Sequence, residues 1–141
     1  MAQRFKTDDE RDAFLSEPRL AILMTNRAEA APMGIPVWFE WNGATVEIFA
    51  GKGTPKLARI EKDPNISVLI TNHIGEREAW VAFDGVATVC HDGVGALISR
   101  LAEHYWDLTQ PDLKAVLDQW LAAEAQLVRI SLAPDRIRSG A

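Results

Sequence analysis

A chain of 141 residues, 48% hydrophobic and 25% charged, with 9 Gly and 7 Pro, has the make-up of one globular domain over residues 1–141 and not of a disordered or fibrous chain. Its 15 basic and 20 acidic side chains leave a net charge of −5, which excludes a general attraction to nucleic acid or to an anionic membrane, so an anionic ligand needs a local cluster of cations. The single Cys excludes an internal disulfide, no apolar run reaches the roughly 20 residues of a membrane span, and the charged stretch Met1 to Asp12 is unlike a signal peptide, which together imply a cytoplasmic protein.

In chain order, Thr7 stands three residues before Glu10, the spacing of a capping box, and predicts a helix from about Asp8 to Ser16 that Pro18 closes. The apolar run Leu20 to Thr25 suits a buried strand. From Gly34 to Trp41 the residues Ile35, Val37, Phe39 and Trp41 share one face of a second strand, and Pro36, Trp38 and Glu40 share the other. Asn42-Gly43 then predicts a hairpin, because both residues tolerate positive φ, with Thr45 to Ala50 as its return strand. Thr54 is placed as an N-cap with Pro55 as the first helical residue, giving a short helix that Asp63-Pro64 ends. Period-two patterns over Asn65–Asn72 and Glu78–Cys90 predict two long antiparallel strands. Helices follow over Asp92–Asp107 and Pro111–Ala123, and a last strand over Leu127–Leu132. This order is an α+β fold on an antiparallel sheet that closes into a barrel.

The segment Gly51 to Lys62 gathers Lys52, Lys56, Arg59 and Lys62 in an acidic chain and sets two glycines before a helix start. Free N–H groups at a helix N-terminus, a Thr hydroxyl and a Lys ammonium suit a phosphate. The pattern is not a P-loop, and a capped helix with a solvated basic face accounts for the same residues. Trp38 and Trp80 each lie opposite the apolar stripe of their strand, so a helix, a second subunit or a flat ligand must cover them. Trp41 belongs to the core stripe, and Trp106 and Trp120 serve as packing anchors on the late helices.

His73, His91 and His104 lack the spacing that puts two metal ligands on one helix face, which argues against a metal site. Cys90 and His91 point to opposite sides of an extended strand, so Cys90 reads as structural. Glu76 and Glu78 sit in a polar turn and read as solvated. The chain therefore offers a phosphate cradle and flat apolar surface without catalytic machinery of its own, and no catalytic residue is assigned. Such a combination points to a cofactor that brings its reactivity with it.

Read together, Gly34-Ile35-Pro36-Val37-Trp38-Phe39-Glu40-Trp41-Asn42-Gly43, Ile48-Phe49-Ala50, Thr54-Pro55-Lys56, Ile60 to Pro64, Ile66-Ser67-Val68 and Phe83 to Ala87 resemble the pyridoxamine 5′-phosphate oxidase-like family of FMN-binding split β-barrels. Within it, the branch of flavin- or deazaflavin-dependent oxidoreductases with a Pro-Val-Trp-Phe strand is the most similar. The resemblance covers residues 7–90 well and the last strand loosely. It implies a split β-barrel of six or more antiparallel strands with flanking helices, and a homodimer with two cofactors between the subunits. It gives the phosphate to Thr54 and Lys56, and the ribityl chain and ring to Pro36, Val37, Trp38, Phe39, Phe49 and Ala50. Trp80 falls where the oxidase has a flavin-contacting Gln, and Gly34 and Phe39 stand where the oxidase has Arg and Lys, which weakens the case for that oxidase's own reaction. The expected function is an FMN-dependent oxidoreductase moving hydride to or from a small flat substrate. A deazaflavin, whose longer acidic tail needs more of Lys52, Arg59 and Lys62, is the alternative cofactor, and a non-catalytic cofactor- or haem-binding dimeric module is the alternative role.

Overall fold

A computed structural model describes residues 5–140. Thr7 accepts the Glu10 N–H at 3.1 Å and starts α1 (Asp8–Leu15), while the Glu10 carboxylate reaches back to the Lys6 N–H at 2.7 Å. After α1 come β1 (Ala21–Thr25), β2 (Met33–Val37), β3 (Glu40–Trp41), β4 (Val46–Gly51), α2 (Pro55–Lys62), β5 (Asn65–Thr71), β6 (Trp80–Cys90), α3 (Val94–Tyr105), α4 (Pro111–Ala122) and β7 (Leu127–Gly140). No helix among the described residues is long and apolar enough to cross a membrane.

The seven strands form one antiparallel sheet in the order β2-β1-β5-β6-β7-β4-β3. Both edges of that sheet come from one stretch of chain. The run from Met33 to Trp41 pairs with β1 through its first half and with β4 through its second, so the sheet curls into a half-barrel whose two edge strands are joined through Trp38-Phe39. One continuous strand was expected here. The structure breaks it at Trp38-Phe39, because a single strand cannot pair with two neighbours that lie on opposite sides of a curled sheet without bending.

Alternation decides what fills the interior. Ala21 and Leu23, Ile66, Val68 and Ile70, Val81 and Phe83, and Val128, Ile130 and Leu132 point inward and are buried. Phe39 joins them at 2% exposure. Trp41 packs on Phe83 with ring centroids 4.7 Å apart and donates its indole N–H to Asp12 at 2.9 Å. A second cluster lies outside the barrel, where Val94, Ile98 and Ala102 of α3 and Leu117 of α4 meet Trp38, Phe49, Trp106 and Trp120.

Two further departures from the sequence pattern are local. The hairpin between β3 and β4 exists, but its loop runs from Asn42 to Thr45. The Asn42 side chain accepts the N–H groups of Ala44 and Thr45 at 2.9 and 2.8 Å, and Gly43 has a φ of 91°. Strand β7 continues to Gly140, beyond the expected Leu132, by pairing along the whole of β6. The register shifts at Asp84/Gly85, opposite Pro134, a place where a missing N–H does no harm.

Candidate functional site

The turn Gly51 to Thr54 sets up the start of α2. The Thr54 N–H and hydroxyl both donate to the Gly51 carbonyl, at 3.3 and 2.7 Å, and Gly53 takes a φ of 77°. A side chain in that left-handed region is strained, which suits Gly. Because the Thr54 hydroxyl is turned back on the loop, it does not cap the helix as expected, and α2 starts with no side-chain cap. Its first N–H groups keep their capacity for an outside acceptor.

Lys56 stands in that first turn, half-buried. Burial, and then the like charge of Arg59, hold its ammonium below the usual lysine range. Arg59, on the same helix face, donates from Nε to the buried Thr25 hydroxyl at 2.9 Å.

The uncapped start of α2 and Lys56 open on a hollow of about 390 Å³ lined by Leu20, Pro36, Val37, Trp38, Phe49, Ala50, Gly51, Thr54, Lys56 and Trp120. One end offers a hydroxyl, an ammonium and free amides, and the rest is apolar and aromatic. Trp38 is held between rings: it stacks on Tyr105 at 5.0 Å and meets Trp106 and Trp120 edge-on at 4.8 and 5.9 Å. Phe49 lies 5.7 Å from Trp120. Helices α3 and α4 thus cover one side of Trp38 while the hollow takes the other.

Of the residues singled out in the sequence, Pro36, Val37, Trp38, Phe49, Ala50, Thr54 and Lys56 are brought together here. Phe39 is not, since its ring faces the barrel core. Trp80 lies elsewhere within one chain, in a hollow of about 500 Å³ lined by Met24, Leu69, Thr71, Trp80, Ala82 and Arg138, all on strands. There its ring packs against Gly140 and lies 6.0 Å from the Arg138 guanidinium. Leu20 and Trp120 line the cradle hollow although the sequence pattern did not single them out for it. The apolar run Leu20 to Thr25 puts Leu20 inside the first buried strand, but β1 starts at Ala21 and leaves Leu20 exposed at the hollow, whereas Trp120 reaches the hollow only through the packing of α4.

Residues 7–131 match the family described as pyridoxamine 5′-phosphate oxidase. The chain belongs to that family. Several solved structures share the fold of this family member. An F420 reductase superposes with a TM-score of 0.72 at 21% identity, covering 90% of this chain and 94% of its own. An FAD-binding protein from Mesorhizobium loti gives 0.65 at 22%, with 99% and 96% covered. The FAD and heme binding protein from Mycobacterium smegmatis gives 0.70 at 18%, with 98% and 72% covered. At such identities these likenesses show the fold alone. No curated protein matches the chain in sequence.

Proposed function

We propose that the protein is an oxidoreductase that holds FMN in the hollow at the start of α2. The observation that carries this reading is the pairing, in one hollow, of an uncapped helix start and Lys56 with a wall of Trp38, Phe49 and Trp120. The donor set fits a phosphate: Lys56 has no carboxylate acting on it among the described residues, and its charge is disfavoured until an anion arrives. Thr54 and Lys56 hold the phosphate, and Pro36 to Trp38 with Phe49 and Ala50 flank the remainder. Trp38 and Trp120 exclude water from the apolar end. Bound there, the flavin supplies hydride transfer at its N5, and the protein supplies orientation and a dry wall.

The hollow is open on one side, and a second copy of the chain closes it in this reading. The strand face of Met24, Leu69 and Trp80 is the surface that makes the homodimer, because half-buried apolar side chains gather there in a hollow lined, among the described residues, by strands alone. The test is the absorbance spectrum of the purified protein, followed by titration with FMN. Flavin bands, or a spectral shift that saturates on adding FMN, support the reading. Their absence in both experiments overturns it. Reduction of the bound flavin by a nicotinamide nucleotide, followed by reoxidation by an acceptor, separates an enzyme from a non-catalytic carrier.

A further inference from the structure

Arg138 belongs to the part of β7 that pairing with β6 adds beyond Leu132, and it is the only charged side chain among those lining the hollow of about 500 Å³ at Trp80. It is held as a fixed group. Asp84 accepts from its Nε at 2.6 Å and from its Nη2 at 2.9 Å, and the Ser67 hydroxyl donates to the same carboxylate at 2.6 Å. The Arg138 bonds are the largest cause that holds the Asp84 carboxyl below its usual range, so the pair stays ionised at neutral pH. Arg136, paired with Asp84 across the strands, adds a second positive charge beside that carboxylate. With side chains 36% and 29% exposed, the Arg138–Asp84 pair adds little to stability. What it fixes is the position of a guanidinium whose third nitrogen, Nη1, has no partner among the described residues.

Strand register joins this hollow to the one at the start of α2. Trp80 pairs with Thr71, Leu20 comes next to Thr71 because Ala21 pairs with Ile70, and Trp38 comes next to Leu20 because Ala21 also pairs with Val37. Trp80 and Thr71 line one hollow, and Leu20 and Trp38 line the other. A neighbouring row runs the same way, from Arg138 through Ala82, Leu69 and Ile22 to Pro36. Leu20 is 54% exposed, so the ridge between the hollows is apolar and uncovered within one chain. Trp38 and Trp80 stand three strand spacings apart, about 14 Å along the sheet.

We infer that the hollow at Trp80 anchors the substrate, a flat apolar molecule whose carboxylate is bound by Nη1 of Arg138 while its body reaches across Leu20 towards the group held at the start of α2. A guanidinium N–H to a carboxylate is a charge-assisted bond, about twice as strong as a neutral one. Trp80 supplies ring surface beside it. Lys56 lies in the other hollow and stays with the phosphate. The inference rests on the oxidoreductase reading above and adds to it the charge class of the substrate. In the homodimer of that reading the second copy meets the face around this hollow and roofs it, so the anchor lies between subunits.

The probes are 2-naphthoate and its neutral isostere 2-naphthamide. Their dissociation constants are read by isothermal titration calorimetry on the cofactor-free protein at low salt, where charges are least screened. Wild type binds the carboxylate at least about tenfold more tightly than the amide. Arg138→Gln loses that preference and Lys56→Met keeps it, which separates this hollow from the cation of the other. The double variant Asp84→Asn/Arg138→Gln leaves no charge unpaired, serves where the single variant folds poorly, and also loses the preference. Equal binding of the two probes by wild type, binding of neither, a preference that survives without Arg138, or one that disappears in Lys56→Met overturns the inference.

A second titration with FMN present keeps this result apart from the cofactor reading. Where FMN binds, saturating it changes naphthoate affinity less than about threefold, and Arg138→Gln changes FMN affinity less than about threefold. Competition between the two, or a larger loss of FMN in Arg138→Gln, overturns the anchoring site and leaves the cofactor reading standing. Where FMN does not bind, the cofactor reading falls, and the preference for naphthoate through Arg138 still supports the anchoring site.

Discussion

Trp38 and Tyr105 lie face to face, their ring centroids 5.0 Å apart and their planes 1° from parallel. The Tyr105 hydroxyl anchors that stack. It donates to the Arg19 carbonyl at 2.6 Å and accepts the Phe39 N–H at 3.3 Å, tying α3 to the break between β2 and β3. Burial pushes the phenol up from its usual range, so it stays protonated and able to donate. Tyr105→Phe keeps the stack and strands two backbone groups, and we expect it to cost about 1–2 kcal/mol by urea unfolding. A change within about 0.3 kcal/mol would mean that solvent replaces both bonds and that the hydroxyl anchors nothing.

Glu76 connects the loop between β5 and β6 to the start of the barrel. Arg19, 2% exposed, donates to both Glu76 oxygens at 2.9 and 3.0 Å. The turn therefore holds an engaged carboxylate, not the solvated one that its composition suggests. The Arg19 bonds, with the His73 N–H, lower the carboxyl pKa from 4.5 to about 2. A folded-state pKa below the unfolded one means that protons favour the unfolded chain. The contribution is complete above about pH 5 and is lost as the pH falls towards 2. Between those limits Tm should fall more steeply for wild type than for Glu76→Gln. Parallel Tm–pH curves would show that the pair carries no linkage.

Lys56 should trade stability for binding. Its folded-state pKa lies below 10.5, through burial first and Arg59 second, so its charge disfavours the folded state below that depressed value. The penalty is relieved only as the pH rises past the unfolded value. Lys56→Met is accordingly expected to raise the Tm of the cofactor-free protein at neutral pH while weakening FMN more than about tenfold, or 1.4 kcal/mol. Retention of FMN affinity would remove Lys56 from the phosphate cradle.

Gly85 stands where β6 and β7 change register, and a Cβ there would meet the Ala133 carbonyl at 3.1 Å and a Leu132 methyl at 2.9 Å. The carbonyl belongs to a paired strand and has little room to yield. Gly85→Ala should destabilise by about 1–3 kcal/mol in denaturant titrations. An unchanged midpoint would show that the shifted register relaxes freely.

The proposed dimer face predicts a change in mass. Leu69 sits on the outer side of β5 beside Met24 and Trp80. Leu69→Lys should convert a dimer into a monomer in analytical ultracentrifugation, since a lysine there sets two like charges into one interface. A wild-type protein that sediments as a monomer, or a Leu69→Lys dimer, would rule out this face.

Much of this was legible residue by residue. Thr7 with Glu10, Asn42-Gly43 and the Thr54-Pro55 start each encode a local event over three or four residues, and each placed its element to within a few positions. The alternation of Ile66, Val68 and Ile70 against Ser67 and Leu69 reads directly as inside and outside. The same grammar kept Phe39 with the core stripe even where the family resemblance put it at the cofactor. The turn and helix start of α2 were legible for the same reason, because Gly51 to Lys56 is one contiguous stretch.

Contacts between distant parts of the chain were not legible. Arg19 and Glu76 are 57 residues apart, and nothing local to the turn announces a buried arginine beneath it. The stretch Ala133-Pro134-Asp135 looks like the end of a strand, yet pairing with an eleven-residue β6 carries β7 through it to Gly140. Trp38 shows the division best. Period-two geometry requires it to face outward from the barrel, and the sequence by itself determined that much. Only the packing of α3 and α4 decided that Tyr105, Trp106 and Trp120 cover one side of it and that the hollow at the start of α2 takes the other. A side chain's direction follows from its own backbone, whereas its neighbours follow from how separate elements bury their apolar surfaces against one another.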